Sequence, residues 1–476
     1  MTIDTSTFRR QQTATIATMY AGYAASMILR MIPTVAGNPI TRDPSLGIDL
    51  EAWGTVLAAG TCGAMTGKFL CGWAADNFGG KRTFTVALFV ASLFVGLFAM
   101  SSSLRMMQAT FFVVLMAQAA GWPSMTKIIV NWAAPKQYGR VWGILSTSSS
   151  VGTLTATFAL GSLLTYLSWR GMLWIAAGIG CTIAVFYGLT MRERPDGPIP
   201  AEVGDQEAEV GGQKSEIGGQ TSEVGVQKSD VDHRTSINTN PQTESKIENP
   251  KSKITPAPHP FDNLTLPQAL PRIFGSLRFW LISASLMGLT ILWDFLLVAP
   301  LYLRDVLQLD QADASRAASA IPLGSLISVL VGGFVFDKLD RKKMGLVMAA
   351  LLAVATACLV MLAKLPDADL TGRWPLLAAL TMLFLFGLCV SPCYYIPCSV
   401  FSIDFGGRHS GFLVAILDAI GFAATATFYF FGGGIAQHQG WPAFLTVLTT
   451  IAAWSLVMTY FFMQREGRTI RRRLAT

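Results

Sequence analysis

Long apolar stretches alternate with short polar segments from one end of the chain to the other. A run of about 18 or more apolar residues with few charges is long enough to cross a bilayer as a helix. Twelve such runs are expected, near 14–36, 53–75, 83–103, 108–132, 142–168, 171–191, 279–301, 317–336, 344–363, 374–398, 410–433 and 441–463. The first run lacks the short apolar region and cleavage site of a signal peptide, so it is expected to be retained. The pattern predicts an all-α polytopic membrane protein with twelve transmembrane helices.

The composition places the chain in a lipid bilayer. Hydrophobic residues make up 52% of the 476 residues and charged residues only 14%, with a mean hydropathy of +0.46, whereas soluble domains carry about 25% charged residues. The net charge of +7 does not indicate nucleic-acid binding, because eighteen basic residues fall on one predicted side and seven on the other. The positive-inside rule then predicts a multi-pass cell (inner or plasma) membrane protein with both termini cytoplasmic.

A polar segment divides the twelve runs into six and six. Between Met191 and Ile273 the composition shifts to Glu, Gly, Ser, Gln and Lys, and a seven-residue unit repeats over 202–236, beginning with EVGDQEA and EVGGQKS. A coiled coil is not expected, because each unit has one or two apolar residues and glycine recurs. We expect a disordered cytoplasmic linker; the alternative is a docking or regulatory segment. The predicted parts are an N-terminal half (1–192), the linker (193–272), and a C-terminal half with a basic tail (273–476).

The two halves echo each other where their second helix ends. The sequence GWAADNFGGKR follows the second run and GFVFDKLDRKK follows the eighth, and each has Gly-x-x-x-Asp, a turn and a basic cluster. The glycines are expected to let helices approach closely, and the aspartates to pair with a loop base or a helix N-terminus. The predicted latch comprises Gly72, Asp76, Arg82, Gly333, Asp337 and Arg341.

Five charges lie at membrane depth, namely Arg30, Lys68, Lys127, Asp294 and Asp418. The three bases belong to the first half and the two acids to the second. A guanidinium at membrane depth costs at least ~2.5–3.5 kcal/mol, and intramembrane charges normally face a bundle interior or a water-filled path. We predict that they mark a substrate path. The alternatives are a snorkelling side chain for Lys127 and a structural interhelical pair for Asp294 and Asp418.

Other chemistry has little support in the sequence. The seven cysteines all fall in apolar runs, where packed thiols are expected rather than disulfides. The four histidines lie in the linker or in loops, and neither a Ser/His/Asp grouping nor a Gly-Lys-Ser/Thr motif occurs. The chain is therefore not expected to be an enzyme or an ATP-driven pump, and no cofactor or metal is expected. It is expected to be a monomer.

The six-plus-six layout and the doubled latch motif resemble the major facilitator superfamily. Five further stretches are similar to its organophosphate:phosphate antiporter family, which contains the glycerol-phosphate and hexose-phosphate transporters. They are GYAASMILR, GKFLCGWAAD, GWPSMTKIIVNW, RERPDGPIP and DFGGRHSGFLVAILDAIGF. The resemblance covers both membrane halves but not the linker, and it implies transport by alternating access with a latch on the cytoplasmic side.

The resemblance also assigns residues. Arg30 matches the family's phosphate-binding arginine of the first helix, and Lys68 the lysine of the second; Tyr23 is implied as an adjacent aromatic residue and Lys127 as the base of the fourth helix. Three positions depart from the family pattern. Leu292 stands where the seventh-helix arginine is usual, Ser149 where the fifth-helix histidine is usual, and Asn77 where the first latch copy commonly has a base. The resemblance thus implies an anion site with half of its clamp replaced.

Together these features predict a secondary transporter of a small organic anion, organophosphate- or carboxylate-like. Arg30 suits such a group because a planar fork binds phosphate or carboxylate through two parallel hydrogen bonds. Asp294, two residues from Leu292, leaves two options open. It binds a substrate that carries positive or hydroxyl groups besides its negative one, or a monoanion is carried together with a proton. In the second case Asp294 is the expected proton carrier in preference to Asp418. Trp293, Tyr394 and Tyr395 either line the cavity or pack. The alternative function is a non-transporting membrane sensor of sugar phosphates that signals to a partner.

Overall fold

The computed structural model describes residues 5–133, 138–195, 266–336, 339, 341–368, 371–406 and 410–475. Within these ranges the chain is helical apart from turns and short connections. The helical rods follow one another as α1 (Thr5–Arg30, continued by Ile32–Arg42), α2 (Leu50–Phe78), α3 (Gly80–Ala99), α4 (Leu104–Gln118, continued by Gly121–Trp132), α5 (Tyr138–Thr155, continued by Ala156–Leu160 and Gly161–Leu163) and α6 (Trp169–Thr190). The second half holds α7 (Leu277–Asp294, continued by Phe295–Leu297 and Ala299–Leu307), α8 (Gln311–Ala318, continued by Ala320–Phe336), α9 (Arg341–Lys364), α10 (Trp374–Gly406), α11 (410–439) and α12 (441–475).

The last two rods are separate helices joined directly at Gly440. Gly440, with φ 82°, reverses the direction between them, a conformation that glycine adopts without a steric penalty. By length and composition, eight described helical stretches are apolar enough to cross a membrane, and one of them contains both α11 and α12. The prediction of twelve helices in two six-helix halves is confirmed.

The rods that fall outside those apolar stretches are α1, α2 and α5. All three contact the other half: α1 meets α7, α2 meets α11, and α5 meets α8. A helix that faces a protein neighbour or a polar cleft does not need an apolar surface all round. The weaker hydropathy of these rods therefore follows from their place at the interface between the halves.

Three rods are interrupted next to buried polar or charged residues. The first segments of α1, α4 and α7 end at Arg30, Gln118 and Asp294 respectively. A proline follows each of these breaks, namely Pro33 in α1, Pro123 in α4 and Pro300 in α7. Proline lacks a backbone N–H and clashes with the preceding turn, so it interrupts a helix. The sequence thus bends the first rod of each half at corresponding places.

Glycines allow close packing inside each half. A Cβ added to Gly63 on α2 would lie 2.1 Å from the carbonyl oxygen of Phe112, and one added to Gly324 on α8 would lie 2.2 Å from that of Phe384. Gly72 differs, because an added Cβ there would meet no atom within 4 Å. The expectation that Gly72 permits a close helix approach is therefore wrong for this conformation, and glycines closer to the outer side of α2 have that role.

The halves are joined at the predicted outer ends of their helices. Arg304, only 5% exposed, donates from Nη1 to the carbonyl oxygen of Asn38 at 3.0 Å and to the hydroxyl of Thr41 at 2.7 Å. Asn38 in turn donates to the carbonyl oxygen of Pro300 at 3.3 Å. A Cβ on Gly54 of α2 would lie 2.5 Å from the carbonyl oxygen of Tyr429 on α11. Hydrogen bonds around a buried cation and close backbone packing together form an outer seal.

We expect Arg304→Gln to loosen this seal. Hydrogen bonds to charged groups contribute about 1.5–3 kcal/mol, so a cysteine placed at the buried Leu57 should react about tenfold faster with a membrane-impermeant maleimide from the outer side. The measurement compares labelling rates in a variant without native cysteines, with the exposed Arg373→Gln as the matched control. Unchanged labelling would show that apolar packing alone maintains the seal.

The predicted linker is structured at its two ends. Residues 196–265, including the repeats, lie outside the described residues. The last part of the expected disordered segment, 266–272, belongs instead to a helix, Leu266–Phe274, in which Ala269 and Ile273 are fully buried. At the other end, the Glu193 carboxylate accepts hydrogen bonds from the backbone N–H groups of Gly80 (2.9 Å) and Lys81 (2.6 Å). An acidic side chain is favourable at a helix N-terminus, so Glu193 anchors the start of the linker to α3.

Candidate functional site

Two ion pairs connect the halves inside the bundle. Arg30 of α1 donates from Nη2 to Oδ1 of Asp294 on α7 at 3.1 Å. Lys68 of α2 donates from Nζ to Oδ2 of Asp418 on α11 at 2.7 Å. In each pair the base comes from the first half and the acid from the second. The structure therefore brings together four of the five intramembrane charges that the sequence singled out.

The two pairs form two tiers along the membrane normal. Arg30 lies twelve residues from the outer end of α1 and Lys68 eighteen residues from that of α2, which correspond to about 18 Å and about 27 Å at 1.5 Å per residue. The ring of Phe422 lies between them, with its centroid 5.8 Å from the Arg30 Cζ and 5.6 Å from the Lys68 Nζ. An aromatic face attracts a cation at such distances, so Phe422 connects the tiers.

Burial differs between the tiers. The side chains of Arg30 and Asp294 are 10% and 3% exposed, whereas those of Lys68 and Asp418 are 21% and 20% exposed. Exposure thus increases toward the predicted cytoplasmic side, in the same direction in which hydrogen bonds between the halves become fewer in the described residues. Among the described residues, the halves are therefore in closer contact at the predicted outer end than at the tier of Lys68 and Asp418.

Arg30 is held by the broken end of its own helix and by a neighbour. Its Nη1 donates to Oε1 of Gln118 at 3.4 Å, and the Nε2 of Gln118 lies 3.4 Å from the sulfur of Met27. A cation is favourable at the C-terminal end of a helix segment. The Nε of Arg30, however, is buried and has no hydrogen-bond partner among the described residues. One donor of the guanidinium is therefore not used by the protein groups that the structure describes.

Asp294 is placed less favourably than Arg30. It ends the first segment of α7, where the carbonyl groups of the last turn create a negative potential that disfavours a carboxylate. Its own carbonyl oxygen is satisfied by the hydroxyl of Tyr429 at 2.6 Å, which holds the broken segment in place. A charged Asp294 at this depth is therefore stabilised chiefly by Arg30.

Aromatic side chains surround the charges on both sides. Tyr23 packs against Trp122 with ring centroids 5.5 Å apart, and its charged neighbours are Lys68, Arg30 and Asp418. The sequence-based placement of Tyr23 next to the bases therefore agrees with the geometry. On the other half, three aromatic rings form a cluster, the aromatic wall, which consists of Trp293, Tyr394 and Tyr395.

Lys127 is not part of this group. Its Nζ lies 2.6 Å from Oδ1 of Asp76, and the two side chains are 50% and 64% exposed. The interpretation of Lys127 as a substrate-binding residue does not fit this position. Its partner is the latch aspartate, so Asp76 pairs with a base of a neighbouring helix in the same half rather than with a loop base.

The rest of the predicted latch is only partly described. Arg82 is exposed at the start of α3. Asp337 lies outside the described residues. Gly333 and Arg341 lie in helices, but the surroundings of Gly333 and the side chain of Arg341 are likewise outside the described part of the chain. Glu193, which the sequence analysis did not single out, binds the start of α3 at the same end of the first half. The sequence feature that could have indicated Glu193 is the stretch RERP, in which this acidic residue directly follows the sixth apolar run.

The described residues contain no group of three or more His, Cys, Asp or Glu side chains that is arranged to hold a metal ion. Cys389 and Cys393 are buried free thiols. The chemistry available at the site is therefore that of two cations, two carboxylates and aromatic rings, which can bind and release an anion or a proton.

Comparisons with known proteins give a consistent result. The family model described as Major Facilitator Superfamily matches residues 14–404. The chain is 24% identical over 171 residues to the probable galactarate/D-glucarate transporter GudP of Escherichia coli (strain K12), covering 35% of this chain and 38% of that protein. It is 26% identical over 163 residues to the probable hexose phosphate transport protein of Chlamydia pneumoniae, covering 34% and 35%. These two matches span little more than a third of each relative.

A longer match and the solved structures extend the comparison. The chain is 22% identical over 433 residues to the glucose-6-phosphate exchanger SLC37A1 of Mus musculus, covering 85% of this chain and 77% of that protein. The nucleoside transporter NupG superposes with a TM-score of 0.60 at 13% identity, covering 94% and 98% of the two chains, and a D-xylose-proton symporter with 0.60 at 12%, covering 96% and 97%. The resemblance to organophosphate transporters is confirmed, and the relatives are membrane transporters rather than enzymes.

Proposed function

Because the chain belongs to the major facilitator superfamily, we propose that it is a secondary transporter that moves a small organic anion by alternating access. Arg30 and Lys68 bind the anion between the two halves, as in the general arrangement of transporters with a site at the interface of their repeats. The similarity to hexose phosphate, glucose-6-phosphate and galactarate/D-glucarate transporters supports phosphorylated sugars or sugar acids as the broad substrate class.

One observation carries the proposal. Arg30 is a buried guanidinium that is paired across the halves with Asp294 and still has an unsatisfied Nε. A phosphate or carboxylate accepts two parallel hydrogen bonds from such a fork. An arriving anion can therefore occupy the open donor and compete with Asp294 for the same guanidinium.

This competition supplies a switch. In the empty protein the two pairs attract the halves to each other at two tiers, and the four charges sum to zero. An anion that takes Arg30 displaces Asp294, whose carboxylate then lies buried without its cation. A buried unpaired charge is strongly disfavoured, so Asp294 is expected to take up a proton. Transport of a monoanion with one proton keeps the site neutral throughout.

The same features support an inward-facing conformation of the proposed transporter. The outer seal around Arg304 and the increase in exposure toward the other end correspond to a cleft that opens to the side of the termini. With both termini cytoplasmic, as the distribution of basic residues predicts, this is the inward-facing state. The anion then exchanges with the cytoplasm at Lys68 before it reaches Arg30.

The direct test is accumulation in proteoliposomes. Purified protein is reconstituted, an inward proton gradient is imposed, and uptake of labelled glucose 6-phosphate, galactarate or a simple carboxylate is followed. The proposal predicts saturable uptake of at least one of these anions and counterflow with the same anion. Binding without any transport would instead support the membrane sensor that the family resemblance leaves as the alternative.

A linker deletion separates the two functions further. We expect removal of residues 202–236 to leave transport unchanged, because the repeats are too polar to form a packed core and the remaining chain still spans the gap at about 3.3 Å per extended residue. Uptake and surface expression of the deletion variant are measured beside a variant in which the same segment is replaced by Gly/Ser residues of equal length. Loss of uptake in both well-folded variants would assign the repeats a regulatory role.

A further inference from the structure

The aromatic wall is a feature that anion binding alone does not use. The rings of Trp293 and Tyr394 are stacked, with centroids 5.7 Å apart and planes within 7°. Tyr395 stands edge-on to both, 5.5 Å from Trp293 and 4.9 Å from Tyr394. Aromatic pairs favour such offset and edge-to-face arrangements, so the wall is a rigid surface rather than a set of independent side chains.

The wall lies beside the first tier of the site. Trp293 directly precedes Asp294 in the chain, and Tyr394 is an electrostatic neighbour of Arg30. Tyr394 and Tyr395 lie between Pro392 and Pro397 on α10, and α10 packs against the first segment of α7. The rings are therefore close to the segment of α7 that ends at Asp294.

Tyr395 shows which way the wall faces. Its hydroxyl lies within hydrogen-bonding reach of the side chain of Ser149 on α5, in the other half. The residue is nevertheless 37% exposed. A tyrosine that reaches across to the opposite half has its exposed surface in the cleft between the halves rather than toward lipid. The wall is thus a surface that a bound molecule can cover.

Leu292 changes the charge balance of the site. It is fully buried and stands where the resemblance implies a second arginine. An apolar residue there removes one cation from the clamp, while Asp294 adds a negative charge nearby. With one cation fewer and one carboxylate more, the site suits a substrate with one negative charge better than a substrate with two. The aromatic wall provides contact area for the uncharged part of that substrate.

We propose that the substrate is a ring-bearing monoanion, with its carboxylate on Arg30 and its ring against the wall formed by Trp293, Tyr394 and Tyr395. This inference rests on the proposed anion site and specifies its substrate class. Flat rings bury large areas against aromatic side chains and gain from ring stacking. An open-chain anion of the same charge fills the cation site but leaves the wall uncovered.

Binding to the purified protein tests this with three monoanionic probes. Benzoate supplies an aromatic ring, glucuronate supplies a pyranose ring, and gluconate is an open-chain acid of similar composition. We expect at least one ring acid to bind about fivefold or more tightly than gluconate, as stacking predicts. Benzoate preference indicates an aryl carboxylate as the substrate class, and glucuronate preference a cyclic sugar acid. Equal affinity for all three probes would overturn the inference.

Variants connect the preference to the wall. We expect Trp293→Leu to remove the ring preference while the affinity for gluconate stays the same, and Tyr395→Leu to weaken it. Tyr395→Phe retains the ring and should retain the preference. The matched control is Trp174→Leu on α6, a 52% exposed tryptophan remote from the cleft. A preference that survives both leucine variants would contradict the inference.

The failure of the anion site itself is distinguishable from failure of the wall. If no probe shows binding that depends on Arg30, the proposed function fails and the ring preference fails with it. If gluconate binds in an Arg30-dependent manner without any ring preference, only the substrate class is wrong.

Discussion

Arg30→Lys is expected to lower the rate of transport about 10- to 100-fold while the protein still reaches the membrane. Lysine keeps the positive charge that pairs with Asp294, so the halves still meet and the chain still folds. It lacks the planar fork, however, and cannot offer two parallel donors to an anion. Each lost hydrogen bond to a charged group is worth about 1.5–3 kcal/mol, which sets the size of the expected loss.

The measurement is the initial rate of uptake in proteoliposomes, normalised to the amount of folded protein. Arg105→Lys is the control, since Arg105 is an exposed arginine at the start of α4 and the same exchange there should have no effect. Near wild-type uptake by Arg30→Lys would show that the guanidinium is a structural cation whose only partner is Asp294.

Asp294→Asn is expected to abolish accumulation driven by a proton gradient and to preserve counterflow. Asparagine cannot take up a proton, but counterflow needs no net proton movement. The same change should lower the thermal stability of the empty protein, because removing one partner of a buried pair costs about 3–5 kcal/mol. A bound anion should restore much of that stability by supplying the missing negative charge to Arg30.

Asp418→Asn is the matched control for this experiment. Asp418 pairs with Lys68 in the same manner, but its side chain is 20% exposed against 3% for Asp294. Solvent screens the remaining lysine, so the loss of stability should be smaller and gradient-driven accumulation should continue. Equal loss of accumulation and counterflow in Asp294→Asn would make Asp294 a binding or folding residue. Accumulation that persists would remove it from coupling.

The sequence predicted which charged residues form the site better than it predicted how they pair. The segregation of bases in one half and acids in the other was visible, because charges are rare at membrane depth. Which base meets which acid was not, because it depends on where each helix is interrupted. Arg30 meets Asp294 since α1 and α7 both break at those residues, and the breaks depend on packing as well as on Pro33 and Pro300.

For the latch, the sequence motif identified the residues but not the contacts that they make. The motif identified Gly72 and Asp76, but the close contacts of α2 are made by glycines such as Gly63, and Asp76 pairs with Lys127. A motif gives residue types and spacing, whereas the direction in which each side chain points depends on the rotation of the helix against its neighbours. Glu193 was missed for a related reason: it contacts α3, which is more than a hundred residues earlier in the chain.

Tyr429 has a consequence for leakage. Its hydroxyl is bonded to the carbonyl oxygen of Asp294, and its own carbonyl oxygen lies against Gly54 of the opposite half. The residue that fixes the central acid is thus also a residue of the outer seal. If α2 separates from α11 at the outer end, Tyr429 moves and disturbs the segment that carries Asp294. Opening of the outer seal and displacement of Asp294 are therefore coupled. A path open at both ends at once would let ions leak and dissipate an ion gradient across the membrane. The link through Tyr429 between the outer seal and Asp294 opposes the formation of such a path.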